Sequence, residues 1–182
     1  MKRTNIKIER KAAFINDIPE QVSQVAPLLI EARKYFDDKQ WVQANCLYQQ
    51  VIDIDSKNIT ALNDLGLIAM EMGMLSLAVD FFTMANEVDA RDLSINKNLA
   101  VAYTRMSRFT DAILQYICIL DIDENNLDAH GELARLNLEA GNMELALHHC
   151  RYALEMNPED AKNLRGIVVP DPTTLSVDTV EK

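Results

Sequence analysis

The chain has little of what most catalytic or cross-linked folds are built from. Its 182 residues include three cysteines, Cys46, Cys118 and Cys150, with no C-x-x-C spacing among them. An odd, scattered set excludes a disulfide framework and a zinc knuckle and points to a reducing compartment, here expected to be the cytoplasm. There are five glycines and no glycine-rich run, so no phosphate-cradling loop. No serine or cysteine nucleophile stands beside a recognisable base, and the chain is expected not to be an enzyme and to need no cofactor. Lys and Arg number 18 against 28 Asp and Glu, a net charge of −10, which argues against nucleic acid as a general partner. No long apolar run exists. The most apolar stretch, Leu65 to Phe82, contains Glu71 and Asp80, so no membrane span is expected. Met1-Lys2-Arg3 is followed by no apolar segment of the kind a signal peptide needs.

What is present is a period. Ala44, Ala78, Ala112 and Ala146 recur at steps of thirty-four residues, and so do Ala32, Gly66, Ala100 and Ala134. Val51, Ala85, Ile119 and Ala153 make a third column, and Tyr48, Phe82, Tyr116 and Cys150 a fourth. Trp41, Leu75, Phe109 and Met143 make a fifth. Within each unit, apolar residues at i, i+3, i+4 and i+7 mark two amphipathic helices. Gly73 interrupts the second unit between them. Small residues are needed where two helices cross closely, and bulky neighbours fill the space beside them. One such hairpin cannot bury its own apolar face and needs stacked neighbours.

This thirty-four-residue helix–turn–helix period, with its columns of small and large residues, resembles the tetratricopeptide repeat family. The match covers 25–160 in four repeats, 25–58, 59–92, 93–126 and 127–160, between an N-terminal arm at 1–24 and a short cap with a tail at 161–182. Glu31 departs from the column of Leu65, Leu99 and Leu133, and only the last repeat has the family's proline, Pro158. The resemblance implies an all-α fold, a right-handed superhelical solenoid that binds proteins or peptides.

Helices are expected at 26–38, 41–54, 59–72, 75–88, 93–106, 109–122, 127–140 and 143–156. Pro19 and Pro27 each suit a first helical turn, so the start of the first helix is ambiguous. The junctions DSKN, DARD, DENN and NPED read as helix-ending and capping chemistry. The arm carries five Lys and Arg against three acids, while repeats two and four each sum to −5. The tail has two prolines and no helical period, and a solenoid without a full capping helix exposes Leu147 and Leu154. Weak self-association through that end is therefore expected.

Two clusters imitate metal sites. Asp121, Asp123 and Asn125, with Glu132 beyond, follow the alternation of a calcium loop, but Asn126 stands where the sharp turn needs glycine. An acidic inter-repeat turn is the simpler account. His148, His149 and Cys150 are adjacent, with His130 nearby, but consecutive helical residues diverge. His148 and His149 are expected toward solvent and Cys150 in the core. No metal site is expected. All three cysteines are placed on apolar faces of second helices.

In a solenoid of this family the first helix of each repeat lines the inner groove. The residues expected there are Leu29, Arg33 and Phe36; Asn63, Leu67 and Met70; Lys97, Val101, Thr104 and Arg105; and Arg135 and Leu138. Asp37, Glu71, Asp128 and Glu139 lie along the rim. Exposed together, Phe36, Leu67, Met70 and Val101 would form an apolar face with four basic side chains, suited to a segment carrying apolar residues and an acid. The family's clamp for a heat-shock chaperone tail is mostly missing, with Leu29, Arg33, Asp64 and Ser94 at its places and only Asn98 polar where arginine is expected. Its asparagine ladder is missing too, replaced by Ile30, Asp64, Asn98 and Glu132.

The functional expectation is a non-enzymatic protein–protein interaction scaffold or adaptor that holds a peptide or partner segment. A small secretion-chaperone-like protein is its special form. The alternative is an accessory repeat region of a larger transferase-type enzyme or its complex.

Overall fold

The computed structural model describes residues 20–156, with side chains from Gln24 onward. Among these residues are eight helices and no strand: α1 (Glu20–Asp37), α2 (Trp41–Ile54), α3 (Ile59–Glu71), α4 (Leu75–Val88), α5 (Leu93–Arg105), α6 (Phe109–Ile122), α7 (Leu127–Glu139) and α8 (Met143–Met156). The fold is the expected all-α succession of helix pairs. Seven helices lie within one residue of the expected bounds. The arm up to residue 19, the proline at 158 and the tail lie outside the described residues.

α1 departs from expectation. It begins at Glu20, and Pro27 lies inside it. Of the two starts that Pro19 and Pro27 left open, the earlier is taken. Val25 and Leu28 pack against the core on either side of the proline. Burying them holds the helix together across the hydrogen bond that Pro27 cannot donate.

Contacts divide the chain into two compact units, residues 1–98 and 99–182, with the division inside α5. In the first unit α1 packs on α2, α2 on α3 and α3 on α4. Ala32, Ala44, Tyr48, Val51, Ala61, Leu65 and Ile68 form its core cluster. In the second unit α6 packs on α7 and α7 on α8. Ala112, Tyr116, Ile119, Leu133, Ala134, Ala146, Cys150 and Ala153 are buried there. The small-residue columns are thus core positions throughout. The fifth column is weaker: Trp41, Leu75 and Phe109 are half-buried and Met143 is exposed. Cys46 and Cys118 are also exposed, so only Cys150 keeps its expected place. Both exposed thiols sit one or two positions off the buried columns, where the helix face has already turned to solvent.

Each helix pair turns through one residue with positive φ, again at steps of thirty-four: Lys39 (58°), Gly73 (75°), Ser107 (59°) and Gly141 (79°). The junctions between pairs use a second device. Asp55, Asp89 and Asp123 accept from the backbone N–H two residues on. Asn58, Asp92 and Asn126 then cap the next helix by accepting from the N–H three residues on, at 3.1 Å in each case. Asp123, the centre of the calcium-like run, has one carboxylate oxygen on the Asn125 N–H and the other on Asn126 Nδ2. Its oxygens close a turn.

Candidate functional site

In the first unit the face expected to bind is organised around a buried carboxylate. Asp64, on α3, is 2 % exposed. Its Oδ2 accepts from Tyr48 Oη at 2.5 Å and from Arg33 Nη1 at 3.3 Å, and its Oδ1 accepts from Asn63 Nδ2 at 3.2 Å. Asn63 Oδ1 in turn accepts from Asn98 Nδ2 at 2.8 Å. A continuous hydrogen-bonded line therefore runs from Arg33 on α1 through Asp64 and Asn63 on α3 to Asn98 on α5. A charge this deep is tolerated because its oxygens are satisfied and a cation lies beside it. Burial and the bond to Asp64 push the Tyr48 hydroxyl well above its ordinary pKa, so it remains a donor.

Arg33 is not an open cation. Its Nε lies 3.1 Å from Asp37 and its Nη1 lies on Asp64. Burial works against its charge, but Asp64 and Asp37 outweigh that and raise its pKa. The guanidinium also sits 4.9 Å from the centroid of Phe36, which meets Trp41 edge-on at 5.4 Å. Leu29 and Phe36 are half-buried against the core cluster. Asn63 and Leu67 are half-buried, and Lys97 is exposed. Met70 corrects the sequence reading: it is buried, not part of an exposed apolar face. α3 buries eight of its thirteen residues, and its outward stripe is narrow, Thr60, Asn63, Leu67 and Glu71, with Met70 at its buried edge.

In the second unit Val101, Thr104 and Leu138 are half-buried and Arg105 is exposed. The Thr104 hydroxyl is committed to its own helix, donating to the Ala100 carbonyl at 2.9 Å. Arg135 is held as Arg33 is, between two acids, with Nη2 2.8 Å from Glu132 and Nη1 2.6 Å from Glu139. Asp128, Glu132, Arg135 and Glu139 follow one another at i, i+4, i+7 and i+11, one face of α7 with three acids and one base. Tyr116 is buried beneath it. Burial first, then Glu132, raises its pKa, with Arg135 opposing. Of the four bases expected to meet an acidic partner, Arg33 and Arg135 already have two carboxylates each.

Sequence reasoning missed the tyrosine–acid pairs, though a signal existed. Sixteen residues after each aromatic of the fourth column stands a matched group: Asp64 after Tyr48, Asn98 after Phe82 and Glu132 after Tyr116. An acid stands after each tyrosine and an amide after the phenylalanine. The histidines were also partly misplaced. His148 is exposed, but His149 is half-buried, its Nδ1 3.0 Å from Nδ1 of His130. His130 is buried, stacks on Tyr152 with centroids 4.2 Å apart, and has its Nε2 3.0 Å from the Glu124 carbonyl.

No protein-family model matches the chain. Solved structures do. A crystal structure of MamA superposes with a TM-score of 0.71 at 20 % identity, covering 84 % of this chain and 86 % of that one. MamA MSR-1 gives 0.65 at 24 % identity, over 75 % and 78 % of the two chains. MamA 41-end from Desulfovibrio magneticus RS-1 gives 0.67 at 16 % identity, over 74 % and 76 %. At these identities the likeness shows the fold, an all-α repeat of helix pairs. Among the described residues no helix is long and apolar enough to cross a membrane.

Proposed function

We propose that this chain is a tetratricopeptide-type interaction scaffold that is not an enzyme and that binds a segment of a partner protein on its first-helix face. The observation that carries this reading is the hydrogen-bonded line Arg33–Asp64–Asn63–Asn98 across α1, α3 and α5. It fixes polar groups on three successive first helices before any ligand arrives, beside half-buried Leu29, Phe36 and Leu67. Preorganised groups of this kind lower the ordering cost of binding. A segment with apolar side chains for Phe36 and Leu67 and a polar backbone or side chain for the amides fits that face. Lys97, exposed on the same unit, adds a positive charge beside that face. A cytoplasmic, chaperone-like adaptor role is the form we favour.

The test is affinity capture with the full chain, identification of the captured protein, and titration with wild type, Leu67→Asp and Lys97→Glu. Lys97→Glu alters an exposed residue and Leu67→Asp a half-buried one, so both are expected to keep wild-type helicity, with a lower melting temperature for Leu67→Asp alone. Both are expected to bind more weakly. Wild-type affinity in both would place the partner elsewhere and overturn the assignment of this face.

A further inference from the structure

α4 carries a second surface that the repeat itself does not require. Met74, Leu77, Phe81, Met84 and Val88 follow one another at alternating steps of three and four, a seam of two heptads that begins at the helix cap. Met74, Leu77, Met84 and Val88 are 42, 40, 42 and 39 % exposed, and Phe81 is half-buried against the core and anchors the stripe.

Comparison within the chain separates this seam from ordinary repeat packing. Thirty-four residues earlier the same places hold Gln40, Gln43, Leu47, Gln50 and Ile54, and thirty-four later Arg108, Asp111, Gln115, Cys118 and Ile122. At the places of Met74, Leu77 and Met84 neither neighbouring repeat has a large apolar side chain, so the fold does not need one there. A row of five apolar side chains on one helix, three of them large and flexible or aromatic, is costly to leave in water and useful for contact.

The edges of the seam say what fits it. On one side Ala78 and Ala85 are fully buried, so the core closes that edge. On the other side Asp80 and Glu87, seven residues apart, are both exposed. An approaching helix therefore meets acids along its one open edge. A second copy using the same stripe about a two-fold axis would bring the same acids toward each other, which opposes self-pairing. We infer that the α4 seam docks an amphipathic helix of a partner protein, one with an apolar stripe flanked by Lys or Arg. Apolar burial holds such a helix and the charges choose it.

The experiment uses the full chain and two labelled synthetic helical peptides of three heptads. Both have leucine at the seam positions. One has lysine at the flanks and the other glutamate. The lysine peptide is expected to bind roughly tenfold more tightly, the scale of two exposed ion pairs exchanged for two repulsions. The double variant Asp80→Lys, Glu87→Lys is expected to invert that order. Met84→Lys is expected to abolish binding of the lysine peptide, while Gln50→Lys, at the matching place of α2, leaves it unchanged. Equal binding of both peptides, or an order that survives the charge reversal, overturns the proposal. A wild-type dimer in sedimentation that Met84→Lys converts to monomer also overturns it, because the occupant is then a second copy.

Discussion

Gly66 and the ring of Phe82 meet with no room for a side chain between them: a β-carbon on Gly66 would stand 2.4 Å from Cε1, 2.6 Å from Cδ1 and 2.8 Å from Cζ. The other repeats tolerate alanine at this place, as Ala32, Ala100 and Ala134. Phe82 is fully buried and cannot swing aside. Gly66→Ala is therefore expected to cost ~1–3 kcal/mol by overpacking, although alanine is the better helix former by ~1 kcal/mol. Adding Phe82→Leu should recover part of the loss. Ala112→Leu, at a fully buried crossing in the second unit, is expected to fall in the same range. Thermal melting reads all of these, and a Gly66→Ala chain that melts at or above wild type would contradict the contact.

Tyr48 and Asp64 depend on each other. Tyr48→Phe removes one donor from a buried carboxylate, and the expected cost is ~1–3 kcal/mol. The chain itself supplies the repair, since Phe82 and Asn98 occupy the equivalent places in the next repeat. Tyr48→Phe with Asp64→Asn is expected to be more stable than the sum of the two single losses predicts, because one change removes the need for the other. Simple additivity in chemical denaturation would show the two residues to be independent.

The repeat was legible because its spacing is a physical necessity. Crossing helices need small residues at fixed places, and Ala44, Ala78, Ala112 and Ala146 supplied them. The junction caps were legible because Asp and Asn have one strong local use there. Pairing across helices was harder to read. Nothing local in Asp64 says that its carboxylate turns inward to Tyr48, or in Arg33 and Arg135 that acids already hold them. Met70 was misplaced because the outward stripe of α3 is narrow and Met70 falls at its buried edge. His149 was read as solvated because its partner, His130, lies nineteen residues away.

Turn conformation gives a further case. Gly73 and Gly141 announced their turns, while Lys39 and Ser107 adopt the same left-handed backbone without glycine. A side chain in that region costs ~1 kcal/mol. Lys39→Gly and Ser107→Gly are expected to raise stability by up to that amount, less the entropy glycine adds to the unfolded chain. Gly73→Ala is expected to lower it. Denaturant midpoints measure the sign, and a destabilised Ser107→Gly would mean that the serine side chain contributes more than its backbone costs.

His149 predicts the pH response of the last helix pair. A carbonyl only accepts, so Nε2 of His130 donates to Glu124, and its Nδ1 faces Nδ1 of His149 at 3.0 Å. Burial, then the neighbouring His130 and His148, lowers the pKa of His149 from 6.5 to about 4. The unfolded chain thus takes a proton at this site in a range where the folded chain does not. The stabilisation is complete above about pH 6.5 and is lost as pH falls from there through about 4. His149→Gln copies Gln115, at the same place one repeat earlier, and does not titrate. Melting temperature is expected to fall more steeply between pH 7 and 4 in wild type than in His149→Gln, with every other titrating group common to both. Parallel curves would show that the His149 proton is not linked to folding.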